Sequence, residues 1–169
     1  MLEKLNYYLT DIQQTDPITL SQQAELLCHE LAVFELSNLK IEGYDYDPAI
    51  AIEELGLDAE LVDHLVEDYV EQITKSVVQF EKYLKELQNS KANSKDLDYT
   101  PFRELAHKNL GVARNLRIHD AQILLYELMK KDDLDYLVHC LEALKYCAIK
   151  LKPQRAYDTL KLLAIKNAL

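Results

Sequence analysis

The sequence predicts an all-α protein: an antiparallel up-down four-helix bundle with an extra N-terminal helical segment. Three observations predict it. Glycine and proline number only three and four in 169 residues, while Leu, Ala, Glu and Lys abound, as long helices require. Apolar residues recur at steps of three and four, the period of one helix face. The links between the last three apolar stripes of the bundle are short, which favours antiparallel neighbours.

Taken in order, residues 2–13 predict a short helix with Leu2, Leu5, Leu9 and Ile12 inward, broken by Asp16-Pro17. A second helix is expected from Thr19 or Ser21 to about Lys40, with Ala24, Leu27, Leu31, Phe34 and Leu39 as its apolar residues. Gly43 ends it, and Tyr44 to Pro48 read as a connection. Asp47 can cap a short helix with Pro48 at its first position and Gly56 at its end. Asp58 can cap a long helix to about Leu87, striped by Leu61, Leu65, Tyr69, Ile73, Val77, Phe80, Leu84 and Leu87. Residues 88–98 are polar and read as a loop.

Thr100-Pro101 opens the central helix, a capping hydroxyl followed by a proline whose missing N–H costs nothing. Its stripe is Phe102, Leu105, Asn109, Val112 and Leu116, and a buried Asn109 needs a hydrogen-bond partner. Asp120 is the expected cap of the next helix, with Ala121, Leu124, Leu125 and Leu128 inward. A tight polar turn at Lys131-Asp132-Asp133 leads to a stripe of Leu134, Leu137, Leu141, Leu144, Ala148 and Leu151. Pro153 ends that helix or starts another, with Ala156, Leu160 and Leu163 apolar. The chain therefore divides into an N-terminal helical extension (1–44), the bundle (45–151) and a C-terminal helical tail (152–169).

A formal net charge of −10 argues against nucleic acid or an anionic membrane as partner, because phosphates call for stripes of Lys and Arg. The start, MLEKLNYYLTDIQQ, is too polar for a signal peptide, and no apolar run is long enough to span a bilayer. Cys28, Cys140 and Cys147 form an odd set without a CxxC pair, as expected of reduced thiols in a cytoplasmic protein.

The most informative stretch is FRELAHKNLGVARNLRI, residues 102–118. His107 lies off the apolar stripe, with Arg103 and Glu104 one turn behind it and Leu110, Gly111 and Arg114 ahead. Gly111 inside a helix costs about 1 kcal/mol relative to alanine, so it calls for a reason. Either it clears space for a docking domain to reach the imidazole, or it permits close helix packing. His29, His64, His119 and His139 have no comparable surroundings. Glu104 and His107 match the Glu-x-x-His spacing of di-iron bundles, but no second copy occurs, so no metal is expected. There is no phosphate-binding glycine loop. A faint echo of Asn115-Leu116-Arg117-Ile118 in Asn38-Leu39-Lys40-Ile41 is too short to establish a repeat.

Three segments carry a resemblance to the histidine phosphotransfer (HPt) domain of bacterial two-component phosphorelays. YDPAIAIEELGLDAELVDHLVEDYVEQI (46–73) looks like that family's entry helix and first bundle helix. LAHKNLGVARNLRI (105–118) is similar to its Ala-His pattern with glycine four residues on. The polar turn at 131–133 falls between two amphipathic helices, as in the family. The resemblance implies that His107 accepts a phosphoryl group from a receiver-domain aspartate and passes it to another receiver. It implies a response-regulator receiver or a hybrid histidine kinase as partner, with Mg²⁺ on the receiver and no cofactor or ATP site on this chain. Gly111, Arg103, Arg114 and Lys108 are the supporting residues, the arginines being better placed for charge than Lys108, about 100° round the helix. The receiver is expected to dock over this helix and its neighbour at 58–87. Asn109 and Leu110 stand where the family usually has an apolar residue and a lysine, and Arg117 where it commonly has glycine. Those three residues favour an alternative, an HPt-like module that docks a receiver or kinase without carrying phosphate. A third reading is a helical adaptor whose partner is dictated by residues 1–44.

Overall fold

The computed structural model describes residues 15–41 and 46–168. The helix expected at 2–13 lies outside the described residues, as do Gly43, Tyr44 and Asp45. Among the described residues the protein is all-helical: α1 (Pro17–Val33), α2 (Pro48–Leu55), α3 (Ala59–Ala92), α4 (Thr100–Asn115), α5 (His119–Lys130), α6 (Leu134–Leu151) and α7 (Pro153–Ala168).

Aspartate caps set most of the helix starts. The carboxylates of Asp47, Asp58 and Asp133 accept from the N–H groups of Ala49 at 2.9 Å, Leu61 at 2.7 Å and Asp135 at 3.1 Å. Helix α1 starts at Pro17, earlier than the expected Thr19 or Ser21, with Asp16 as its cap accepting from Thr19 N at 2.8 Å. That helix ends at Val33 rather than near Lys40, because the chain turns at 34–38 and folds Leu36 into the core. Helix α3 runs on to Ala92, through residues expected to be a loop; no glycine or proline interrupts Gln88 to Ala92. The Thr100 hydroxyl does not cap α4, since Tyr99 is the N-cap residue and the Asp98 carboxylate takes the Thr100 N–H at 3.0 Å. Nor does Asp120 cap α5; it lies buried in the first turn.

The inward face of α3 also differs from the expected stripe. Val62, Val66, Tyr69, Val70, Ile73, Val77, Phe80, Leu84 and Leu87 are buried, while Leu61 is 43% exposed. Successive four-residue steps overshoot a turn by about 40° each, so Leu61 and Leu65 drift off the face that Ile73 and Val77 define.

Helices α3, α4, α5 and α6 pack each on the next, and α6 returns to α3. Phe80 and Phe102 meet edge-to-face at 5.1 Å between α3 and α4. Helices α1 and α7 pack on α6 and on each other, α7 also lies on α3, and α2 lies on α3. Arg155 of α7 reaches Glu67 at 3.0 Å and Glu71 at 3.3 Å on α3, and Lys152 pairs with Asp63. Helix α6 is consequently buried all round from Cys140 to Ile149, Glu142 and Lys145 included. Burial pushes the Lys145 ammonium down to about 7, against the opposing pull of the Glu81 and Glu142 carboxylates. Among the described residues no helix is long and apolar enough to cross a membrane.

The thiols of Cys28, Cys140 and Cys147 are all buried and free. Burial pushes Cys28 and Cys140 up to about 12 from a usual 9.0. These raised values stabilise the fold below the unfolded thiol pKa, and that contribution is lost as pH climbs from about 9 towards 12. Ellman's reagent at pH 8 should therefore find no fast thiol on the native protein and three after denaturation. Denaturant midpoints should fall between pH 9 and 11, less steeply in a Cys28→Ala, Cys140→Ala double variant. One rapid native equivalent would refute the burial.

Candidate functional site

The site is the outer face of α4. Phe102, Ala106, Asn109, Leu110 and Ala113 are buried, while Glu104, His107, Lys108, Gly111 and Arg114 are exposed. Leu105 and Val112, expected inward, are only half-buried, because Ala106, Leu110 and Ala113 draw the face towards α5. Small residues at 106 and 113 let the neighbouring helices approach, and α4 keeps α3 and α5 as its principal neighbours. Neither α1 nor α7 covers it.

Both ends of α4 are pinned. At its start the Tyr99 hydroxyl donates to the Asp132 carbonyl at 2.8 Å, tying it to the α5–α6 turn. At its end Ile118 N donates to Ala113 O at 3.0 Å and Arg117 N to Arg114 O at 3.1 Å, a Schellman closure. Arg117 occupies the left-handed position of that motif, with φ of 61°, where glycine is usual. Its guanidinium compensates: it donates to the Arg114 and Asn115 carbonyls at 2.8 and 3.2 Å and pairs with Glu54 of α2. The Tyr46 hydroxyl donates to Leu116 O at 2.7 Å beside them.

Asn109 has the partners its burial demands. Its amide nitrogen donates to Leu105 O at 2.9 Å and Ser76 Oγ at 3.2 Å, and its amide oxygen faces Gln72 Nε2 and Ser76 Oγ, each at 3.4 Å. Asn109 is thus a buried polar tie between α3 and α4.

The structure separates the supporting cations. Arg103 stacks on the Tyr99 ring, its guanidinium carbon 4.7 Å from the centroid, one turn towards the helix start and away from His107. Arg114 is exposed and makes no ion pair among the described residues. Seven residues from His107, it lies only about 20° from it around the helix. Lys108 sits on the α3 side, at a polar groove with Gln72, Lys75, Ser76 and Gln79. Leu110 and Arg114 instead face α5, where with Leu39, Gln122, Ile123, Tyr126 and Glu127 they line a groove of ≈ 390 Å³; His107 does not line it but lies about 20° from Arg114 and about 60° from Leu110 around the helix. By helix rotation His107 lies nearer the α5 flank of α4 than the α3 flank. Among the described residues a Cβ at Gly111 would meet nothing within 4 Å, so this glycine serves no helix packing there. The half-exposed Tyr126 and the contribution of Leu39 had no motif to announce them. Among the described residues no group of three His, Cys, Asp or Glu is placed to hold a metal ion.

No protein-family model matches the chain, and neither the curated proteins nor the solved structures contain a match.

Asn109→Ala should cost about 1–3 kcal/mol by leaving the buried Ser76 hydroxyl without its partner. Urea unfolding measures it. A loss below about 0.5 kcal/mol would mean that water replaces the amide at no cost.

Proposed function

We propose that this protein is a histidine-containing phosphocarrier of a two-component phosphorelay, accepting a phosphoryl group on His107 from a receiver-domain aspartate and passing it to a second receiver. The observation that carries the reading is the open space at Gly111. A helix-destabilising glycine one turn from an exposed histidine, with no packing among the described residues to justify it, fits a surface kept clear for a docking partner. The cyclic packing of α3, α4, α5 and α6, with short links at 116–118 and 131–133, supports an up-down bundle of the HPt type. Arg117 in a left-handed conformation accords with the glycine usual at that turn of the family.

The chemistry asks little of the carrier. A neutral imidazole attacks phosphorus with a ring-nitrogen lone pair. The N–P bond forms as the bond from phosphorus to the aspartyl oxygen breaks, and the carboxylate leaves with the electron pair. The second ring nitrogen keeps its hydrogen. Receiver-bound Mg²⁺ offsets charge on the transferring oxygens, while α4, pinned at both ends, presents the ring in a fixed place. Arg114, two turns on and about 20° from His107 around the helix, is an exposed cation on the same face as the attacking ring. The chain needs no ATP site of its own, and the buried thiols suit the cytoplasm.

Leu110 favours a second reading, a module that docks a receiver or kinase without taking phosphate, because it replaces the family's lysine with a buried apolar side chain. Incubation with phosphorylated receiver domains and Mg²⁺ separates the two. The carrier acquires acid-labile, base-stable label that His107→Gln lacks; binding without label indicates the module. Equal label on both proteins rejects His107.

Gly111→Ala should move stability and transfer in opposite directions. The melt should rise by the equivalent of about 0.5–1 kcal/mol. Transfer from a phosphorylated receiver should slow several-fold as a methyl group enters the docking face. Unchanged transfer would remove the clearance role.

A further inference from the structure

The groove between α4 and α5 has a third wall that the bundle does not supply. Leu39, from the turn after α1, closes its edge opposite Leu110 and Ile123. That turn is held in place. Leu36 is fully buried, Leu36 N donates to Leu31 O at 2.8 Å, and Leu39 N donates to Leu36 O at 2.9 Å. Asn38 Nδ2 donates to the Tyr136 hydroxyl at 3.1 Å, and that hydroxyl donates to Glu127 Oε1 at 2.6 Å. The extension is thus latched onto α6 and α5, and the latch occupies the one carboxylate that lines the groove. Arg114 remains on the rim, and Lys130 lies 5.9 Å from the centroid of the Tyr126 ring. An apolar trough with a cationic rim, in a chain of net charge −10, is set up for an apolar partner surface flanked by acidic groups. Leu110 and Arg114 place it on the same side of α4 as His107, so the trough continues the face a phosphoryl donor must approach.

We infer that residues 34–41 of the N-terminal extension form part of the receiver-docking surface, with Leu39 a specificity-determining contact for a receiver that presents an apolar helix flanked by acidic side chains. This rests on the phosphocarrier reading. A receiver seated over His107 on the α5 side buries Leu39 together with Ile123 and Tyr126. A receiver with a polar helix at that place leaves its polar groups unpaired against Leu39 and is rejected.

The test uses the full chain and a panel of receiver domains, with affinities measured in the beryllofluoride-loaded state and transfer rates from the phosphorylated state. Leu39→Glu should weaken binding of the receiver that labels wild type by tenfold or more and slow its transfer alike. Leu26→Glu, on the exposed side of α1, should leave both unchanged. Circular dichroism and melting verify that Leu39→Glu keeps its fold, and Leu39→Ala provides a milder variant if it does not. Wild-type affinity and transfer in both Leu39 variants would overturn the inference while leaving the carrier intact. Loss in Lys75→Glu with none in Leu39→Glu would overturn it by placing the receiver on the α3 side. A wild-type dimer that Leu39→Glu dissociates, with receiver affinity unchanged, would assign the groove to a second copy and overturn it as well. Failure of every receiver to bind or label wild type would overturn both this inference and the phosphocarrier reading.

Discussion

The fold depends on the burial of α6 on every side. From Cys140 to Ile149 every residue of that helix is buried, including a glutamate and a lysine. A helix buried all round needs neighbours on all sides, and here they are α1, α3, α5 and α7. This one requirement explains the flanking helices. Without α1 and α7, much of α6 would face water, so the helical extension and tail complete the core rather than decorate it. Arg155 and Lys152 fasten α7 to α3 at the rim, while the area that counts is the apolar contact beneath.

The same requirement leaves α4 open. With α1 and α7 committed to α6, α4 packs chiefly on α3 and α5, and its outer face stays in solvent. An exposed histidine is ordinary in itself. What distinguishes His107 is the rigidity under it and the clearance beside it. Phe80 against Phe102, the Asn109 tie to Ser76, the Tyr99 bond to Asp132 and the Arg117 closure hold the helix along its length. Two of these ties rest on polar residues in demanding places, the buried Asn109 and the left-handed Arg117, and each is compensated by side-chain hydrogen bonds.

Much of this was legible in the sequence. Four aspartates, three of them foreseen as caps or turns, mark helix starts through local chemistry that tertiary packing does not alter. The links at 116–118 and 131–133, the placement of Pro153 and the need of Asn109 for a partner could be read directly. Two of the differences concern which residues turn inward. On α3 the four-residue steps from Leu61 to Val77 overshoot each turn by about 40°, so Leu61 ends in solvent. On α4 the larger Leu105 and Val112 look more like core, yet Ala106 and Ala113 are the buried ones. Close contact between helices selects the small ones.

By itself, then, the sequence determined the helices, most of their starts, and the isolation of His107 and Gly111 on a polar face, since each depends on neighbours within a turn or two. Only the tertiary structure decided which side of α4 the histidine occupies, that nothing among the described residues packs on Gly111, that Arg103 is drawn off to Tyr99, and that Leu39 reaches the groove. Those outcomes depend on residues tens of positions apart or on a few tens of degrees of helix rotation. Local periodicity does not resolve such angles, because many rotations of one amphipathic helix bury similar apolar area until its neighbours are in place.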